Sequence, residues 1–217
     1  MPIEYESKLT YLPAIGPDIG SVDVERGEVL GDFFPGGDAE YFGVRFRVCG
    51  LGNVERAVLG QPSPAELTIK GPGGSDRARL EQTHTIDQVL VARMPACVKQ
   101  RFRVTRLTVE GGSVPVPDEV IATLDIICTA YVRPVIELEG PAHLVDPLTS
   151  LLLASPGRFT LGGPRYRKIA QPLQLGQATR DRVIAHVRDQ RRALRGEPVG
   201  EDHYPWLRSG PLPDYYG

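Results

Sequence analysis

The chain has 217 residues, of which 41% are hydrophobic and 24% charged, and its formal net charge at pH 7 is -2. This composition excludes a globally disordered protein, because it provides enough apolar surface to form a core. The sequence contains no run of eighteen apolar residues, which excludes a membrane-spanning helix of ordinary length. The 24 glycines and 20 prolines favour a β-rich protein with many loops.

Residues 1–41 show little periodicity and are interrupted repeatedly by glycine and proline. A helix cannot continue through such breaks, whereas short strands fit between them. We therefore predict an extended N-terminal arm that carries one or two strands. The first residues include neither a basic segment nor an apolar stretch, so no signal peptide is predicted. The expected localisation is the cytoplasm, or a virion into which the protein is assembled.

A β body is predicted over residues 42–139, where apolar and polar residues alternate. In 42–49, Arg45 and Arg47 occupy alternate positions between apolar residues. This period of two is typical of a strand with one apolar face and one face towards solvent. Related patterns predict further strands within residues 65–70, 86–93 and 97–110.

The longest apolar run covers residues 119–140 and has apolar residues at both alternating sets of positions. Such a run predicts a central strand that is covered on both faces, and Pro134 ends or bends it. Asp125 lies within the run and shares a face with Thr123 and Thr129, so we predict that it is exposed. The alternative is a buried carboxylate with a partner.

These strands predict a mainly β fold, an antiparallel sandwich or jelly-roll-like body, with two C-terminal helices and extended arms at both ends. Within 97–110 the apolar residues change from even to odd positions at Thr105 and Arg106. That change predicts a bulge, or a strand that passes from one sheet to another.

Two helices are predicted after the body. The first lies within residues 143–157, with Asp146 as its N-cap and Pro147 at the first helical position. The second covers residues 178–196 and ends at Gly196. The chain thus divides into four segments, which are the arm (1–41), the body (42–139), a helical basic segment (140–196) and a proline- and aromatic-rich tail (197–217).

Charge is concentrated late in the chain. Residues 156–196 contain ten basic and two acidic residues. This segment fits a docking surface for an acidic protein partner, which we favour because the chain is acidic overall. The alternative is a surface that binds the phosphates of a nucleic acid. The basic residues assigned to the contact are Arg165, Arg167, Lys168, Arg188, Arg191 and Arg192.

Aromatic residues are concentrated at the two ends of the chain. Ten of the fifteen lie in residues 1–42 and in the tail. Aromatic side chains on extended segments resemble the composition of binding hot spots, although the arms could instead fold back onto their own body. The tail residues predicted to contact a partner are Tyr204, Trp206, Tyr215 and Tyr216.

No catalytic motif is recognisable. The sequence contains no nucleophile elbow, no phosphate-binding loop and no metal-ligand spacing around its four histidines. Cys49, Cys97 and Cys128 lack a pairing pattern and are predicted to be buried free thiols. Glu137 and Glu139 form a carboxylate pair at a strand end, which alone does not indicate a catalytic dyad. No catalytic residue, metal site or cofactor is predicted.

The function predicted from these observations is that of a non-enzymatic structural protein. Complementary charges and aromatic arms suit an oligomeric assembly of protein subunits, of the same or different kinds. The predicted setting is a virus or phage virion, with the chain as a capsid, cement or tail component. Two alternatives stay open, a nucleic-acid-binding protein acting through residues 156–196 and a hydrolase whose site is assembled from scattered residues.

Overall fold

A computed structural model describes residues 3–11, 27–35, 43–71, 78–109, 112–129, 133–155, 157–163, 165–172 and 185. The strands are β1 (Ile3–Tyr11), β2 (Glu28–Phe33), β3 (Gly43–Cys49), β4 (Ser63–Lys70), β5 (Ala78–Val89), β6 (Pro95–Arg103), β7 (Arg106–Val109), β8 (Gly112–Pro115), β9 (Ile121–Ile127), β10 (Val135–Glu139), β11 (Phe159–Leu161) and β12 (Gln171–Pro172). The helices are α1 (Leu51–Val58), α2 (Ala142–Leu153) and α3 (Tyr166–Ile169).

Most strands belong to one antiparallel sheet in the order β10-β9-β6-β2-β3-β4-β5-β1-β11, and β12 pairs with β6. Strand β1 pairs with β5 through residues 3–5 and with β10 through residues 6–10. The two ends of the strand order therefore meet at β1, and the sheet curls around an inner face. The mainly β prediction is confirmed, but the body has one large sheet where two packed sheets were expected.

Two helices cover apolar residues on the outer side of parts of the sheet. Helix α1 packs Val54 and Ala57 against Val48 of β3 and its neighbours. Helix α2 packs Val145 and Leu152 against the outer residues of β1, β9 and β10. Because side chains alternate along a strand, the residues next to these apolar ones point to the inner face. In these parts of the sheet the apolar side chains therefore lie on the outer side, and the polar side chains lie on the inner side.

Strands β7 and β8 form a separate two-stranded sheet. The chain passes into it directly after β6, at the point where the apolar residues change parity. The predicted change of sheet at Thr105 and Arg106 is therefore confirmed. Residues 3–11 and 28–33, which were assigned to an extended arm, are strands of the main sheet.

The first predicted helix exists, but it begins at Ala142 with Pro141 in an extended conformation at its N-cap. Pro147 lies inside the helix, where it removes one intrahelical hydrogen bond. Asp146 is not the cap, and its Oδ1 instead accepts a hydrogen bond of 2.5 Å from the hydroxyl of Tyr5. The second predicted helix lies outside the described residues, apart from position 185. No helix in the described part of the chain is long and apolar enough to cross a membrane.

Candidate functional site

The inner face of the curled sheet is lined by ionisable side chains of both signs. They come from strands that are neighbours in the sheet, so their charges lie within contact distance of one another. Ion pairs connect Lys8 and Glu6 of β1, Asp32 of β2, Arg45 and Arg47 of β3, Lys70 of β4, Glu81 of β5, Lys99 and Arg101 of β6, Asp125 of β9 and Glu137 of β10.

Asp125 lies at the centre of this face and is fully buried. Its Oδ2 accepts hydrogen bonds from Lys99 Nζ at 2.6 Å and from the Tyr166 hydroxyl at 2.8 Å. Arg101 donates to both of its oxygens, from Nε at 2.6 Å and from Nη2 at 2.7 Å. Burial raises the pKa of Asp125, but the charges of Arg101 and Lys99 outweigh burial and lower it. Asp125 is therefore an ionised carboxylate held by two cations.

Asp32 forms a second acidic centre beside the first. Its oxygens lie 2.8 Å from Arg47 Nε, 3.4 Å from Lys99 Nζ and 3.7 Å from Arg45 Nε. Burial again raises the pKa, but the charges of Arg47, Lys99 and Arg45 hold it well below its usual value. Lys99 bridges Asp32 and Asp125, which joins the two centres into one network.

Lys99 is completely buried, which is unusual for this residue type. Burial lowers its pKa, and the nearby guanidinium of Arg101 acts in the same direction, whereas Asp125 and Asp32 oppose the shift. The ammonium group thus lies where its charge has lost the stabilisation of water and depends on neighbouring anions. A bound anion at this point would compete with Asp125 for the same donor.

Three carboxylates lie together at another part of the face. One oxygen from each of Glu6, Glu137 and Glu139 lies within 4.8 Å of the other two. Lys8 Nζ lies 2.8 Å from Glu6 and 2.9 Å from Glu137, and Arg101 also pairs with Glu137. Burial and the charges of Glu137 and Glu6 raise the pKa of Glu139. Burial and the neighbouring carboxylates thus both disfavour the charged form of Glu139.

This carboxylate group fits a divalent metal ion. Mg²⁺ and Ca²⁺ take hard oxygen ligands, and carboxylates are the side chains that supply them most often. A cation between the three glutamates would also offset the repulsion from Glu137 and Glu6 that, after burial, raises the pKa of Glu139. We conclude that Glu6, Glu137 and Glu139 could hold such an ion, whereas the sequence alone predicts no metal site.

Arg45 differs from the other cations of the inner face because none of its carboxylate contacts is close. Its Nε lies 3.7 Å from Asp32, and its Nη2 lies 3.9 Å from Glu81. The one hydrogen bond of its guanidinium that the structure resolves runs from Nη2 to Thr68 Oγ1 at 3.2 Å. Its Nε is buried and makes no hydrogen bond within the described part of the chain. Arg45 thus has donor capacity left for an anionic ligand.

The predicted exposure of Asp125 is wrong, and so is the assignment of Arg45 and Arg47 to a face towards solvent. Asp125 is 0% exposed, and the side chains of Arg45 and Arg47 are 16% and 14% exposed. The physical reason is the pairing of β1 with both β5 and β10, which turns the polar faces of the strands inwards. The alternative interpretation of Asp125, a buried carboxylate with partners, is confirmed.

Two of the residues predicted to contact partners are described with their side chains. Arg165 and Arg167 are exposed on and next to α3, and only the backbone of Lys168 is described. The remaining predicted residues lie outside the described part of the chain, namely Arg188, Arg191, Arg192, Tyr204, Trp206, Tyr215 and Tyr216. Contact with protein or nucleic-acid partners through these residues stays a prediction.

The three cysteines are free thiols. Cys97 is fully buried and Cys49 and Cys128 are partly buried. Burial raises the pKa of Cys49 to about 11 and that of Cys128 to about 12, so these two remain protonated near neutral pH. The prediction of free thiols is confirmed, and the prediction of burial is met fully by Cys97 and partly by the other two.

The network was missed in the sequence because its members lie on eight different strands. A signal for it exists, since charged residues recur at alternate positions on several strands and carry both signs. Glu6 and Lys8 are separated by one residue, as are Lys99 and Arg101. Such pairs lie on one face of a strand, but only the pairing of the strands shows that these faces meet.

Acid should weaken the fold through this network. The pKa values of Asp32, Asp125 and Glu137 are lowered in the folded protein from ordinary values of 3.8, 3.8 and 4.5. As the pH falls, these three carboxylates therefore stay ionised in the folded protein at pH values where they already take up protons in the unfolded chain. Their contribution to stability is fully present above about pH 5 and is lost as the pH falls towards the folded values. Urea unfolding at about pH 7 and about pH 3 measures the loss.

A pair of variants separates this network from the other carboxylates. Asp32→Asn should reduce the difference in stability between the two pH values, because it removes one group whose pKa is lowered. Asp118→Asn changes an exposed carboxylate and should leave the difference unchanged. An equal pH dependence in the wild type and in Asp32→Asn would show that the buried pairs do not cause it.

The inner face thus combines buried ion pairs with a group of three carboxylates that could hold a divalent cation. No family model matches the chain, and no curated protein matches it. Solved structures with a similar fold exist. The PH1819 protein of Pyrococcus horikoshii OT3 is 19% identical with a TM-score of 0.46, covering 72% of this chain and 93% of that one.

Two further structures carry a described activity. The inorganic triphosphatase NE1496 is 16% identical with a TM-score of 0.40, covering 81% of this chain and 97% of its own. The protein HpAC1 of Hippeastrum is described as having a dominant triphosphatase activity. It is 14% identical with a TM-score of 0.44, and the match covers 81% of this chain and 100% of HpAC1. At these values the likeness concerns the arrangement of the chain and does not assign an activity.

The prediction of a non-enzymatic structural subunit of a virion is wrong, and with it the capsid, cement and tail settings. The sheet encloses a network of buried ions and a group of three carboxylates, which costs stability that an apolar interior would not cost. The findings favour the alternative of a hydrolase whose site is assembled from residues scattered along the sequence.

Proposed function

We propose that this protein hydrolyses substrates that contain a triphosphate group, which binds along the inner face of the curled sheet. The observation that carries the proposal is the group of five cations on that face, close to the three carboxylates. Lys8, Arg45, Arg47, Lys99 and Arg101 come from three strands and all pair with carboxylates of the inner face. A polyanion is a ligand that could contact several of these cations at once.

The arginines supply the geometry for phosphate recognition. A guanidinium group donates two parallel hydrogen bonds to the oxygens of one phosphate, which gives orientation as well as affinity. Because the site is enclosed, each contact is stronger than it would be in water. Arg45, with its buried unbonded Nε, is the side chain best placed to make the first of these contacts. Lys99 and Arg101 would exchange their bonds to Asp125 for bonds to phosphate oxygens.

The carboxylates supply the complementary part of the site. Glu6, Glu137 and Glu139 would hold a divalent cation, which when bound neutralises charge on the phosphate oxygens and lowers the barrier to attack by water. Phosphoryl transfer needs little covalent help from the protein, so positioning and charge neutralisation account for most of the catalysis. The chain's own cations provide both. The triphosphatase activity described for two of the solved structures is the same chemistry, but the proposal rests on the side chains described here.

Phosphate release from tripolyphosphate tests the proposal. The full chain should release inorganic phosphate from tripolyphosphate in the presence of Mg²⁺ or Mn²⁺, and much more slowly from pyrophosphate, which has one phosphate group fewer to meet the group of cations. Addition of a chelator should abolish release, because the carboxylates then hold no cation. A colorimetric phosphate assay measures both effects.

Two glutamate variants test the metal site, one within the carboxylate group and one control outside it. Glu139→Gln should raise the Mg²⁺ concentration needed for half-maximal activity by about tenfold, as for loss of one direct ligand. Glu119→Gln alters an exposed glutamate and should leave this concentration unchanged. Absence of phosphate release from tripolyphosphate with either metal would contradict the proposed function.

A further inference from the structure

Tyr166 is an aromatic residue in direct contact with the charged network. It begins the four-residue helix α3 and is 8% exposed. Its hydroxyl donates to Asp125 Oδ2 at 2.8 Å. Its ring centroid lies 4.0 Å from Lys99 Nζ and 4.8 Å from Lys8 Nζ. The phenol thus touches side chains from three strands of the inner face.

The inner face changes character at the place where α3 packs. Phe34, Cys97 and Ile127 form a buried apolar group with Tyr166 and Ile169. Each of the first three residues lies two positions along the chain from a charged residue. Phe34 follows Asp32, Cys97 precedes Lys99 and Ile127 follows Asp125.

A spacing of two keeps the members of each pair on the same face. The strands involved are antiparallel neighbours, so the three apolar residues lie towards the same end of the curl. The charged face therefore ends in an apolar group at that end.

Helix α3 covers this end, and the chain that follows holds it there. Ile169 is 2% exposed within the apolar group. Strand β12 then pairs with the beginning of β6, through Gln171 opposite Ala96. Tyr166 is consequently the boundary between the charged part of the inner face and a closed apolar end.

We propose that Tyr166 is a specificity-determining residue, which stops a bound polyphosphate at this end and so limits the number of phosphate groups that the site accepts. The inference rests on the proposed function and adds chain-length selection to it. The ring occupies space next to Lys8 and Lys99 that a further phosphate group would need. Both ammonium groups already interact with the ring face, an interaction that strengthens when water is excluded.

Two substitutions separate the ring from the hydroxyl. Tyr166→Phe keeps the ring and its contacts with the two lysines, but loses the hydrogen bond to Asp125. Tyr166→Ala removes the ring and leaves room beside Lys8 and Lys99. Only the second variant should change the preference for chain length.

Isothermal titration calorimetry with tripolyphosphate and tetrapolyphosphate, in the presence of Mg²⁺, measures that preference. The ratio of the two dissociation constants should shift by about tenfold towards tetrapolyphosphate in Tyr166→Ala, and by less than about twofold in Tyr166→Phe, relative to the wild type. Circular dichroism shows whether each variant is folded. Should Tyr166→Ala fail to fold, Tyr166→Leu replaces it, because leucine keeps an apolar group beside Ile169 while removing the ring.

The result distinguishes the inference from the proposed function. An unchanged ratio in the folded ring-deleted variant overturns the role of Tyr166, even if the wild type hydrolyses tripolyphosphate. A shifted ratio in a protein that releases no phosphate supports the role of Tyr166 and overturns the hydrolase. If neither polyphosphate binds to the wild type or to the variants, both proposals are overturned.

Discussion

Replacing Asp125 by alanine should lower the free energy of unfolding by about 3–5 kcal/mol, as expected when one partner of a buried ion pair is removed. Asp125 receives hydrogen bonds from Lys99, Arg101 and Tyr166. Without it, the closest carboxylate to the buried ammonium of Lys99 among its ion pairs in the described part of the chain is Asp32, at 3.4 Å. Urea unfolding at neutral pH, followed by circular dichroism, measures the difference in free energy.

Two further variants show whether charge or volume causes this loss. Asp125→Asn keeps the shape and one oxygen acceptor but removes the charge, so it should cost less than alanine and still about 1–3 kcal/mol. Asp118→Ala changes an exposed aspartate and should alter stability by no more than about 0.5 kcal/mol. If Asp125→Ala and Asp118→Ala had equal effects, the buried network would not stabilise the fold.

The strands could be predicted because their pattern is local. Period-two alternation is visible within a few residues and correctly indicates β3, β4 and β6, and the long apolar run correctly indicates β9. The pairing of β1 with β5 and β10 joins segments more than seventy positions apart, and alternation alone does not specify it. The same pattern fits a sheet with its polar face in solvent and a sheet that curls around that face. The sandwich prediction chose the commoner of the two.

The candidate site could be predicted only in fragments. Glu137 and Glu139 are noticeable as a pair in the sequence, but their third partner, Glu6, lies near the other end of the chain. Their meeting depends on the register that places Glu6 opposite Glu139. Asp125 is a further example, because a carboxylate in an apolar run has an exposed and a buried interpretation, and only its partners on β6 decide between them. The residue types determine which chemistry the site can carry out, and the pairing register of distant strands brings those residues together.

A substitution at Arg45 should reduce activity strongly while it changes stability little. Arg45→Met should reduce kcat/KM for tripolyphosphate by about 100-fold, the effect of removing one preorganised donor from developing charge. The same change should lower the free energy of unfolding by less than about 1 kcal/mol. Within the described part of the chain, Arg45 makes one hydrogen bond of 3.2 Å, to Thr68, and its two ion pairs are long, at 3.7 Å and 3.9 Å. Steady-state phosphate release and urea unfolding of the same preparation measure the two quantities.

Two arginine variants control for charge and for position. Arg45→Lys keeps the charge but cannot donate two parallel hydrogen bonds to one phosphate, so its activity should lie between those of the wild type and Arg45→Met. Arg106→Met removes an arginine that is exposed on the β7–β8 hairpin and bonded to Ser113, and kcat/KM should not change. Full activity in Arg45→Met would place phosphate recognition away from the inner face. A loss of activity that follows only a loss of folded protein would do the same, because Arg45 would then act on the fold and not on the substrate.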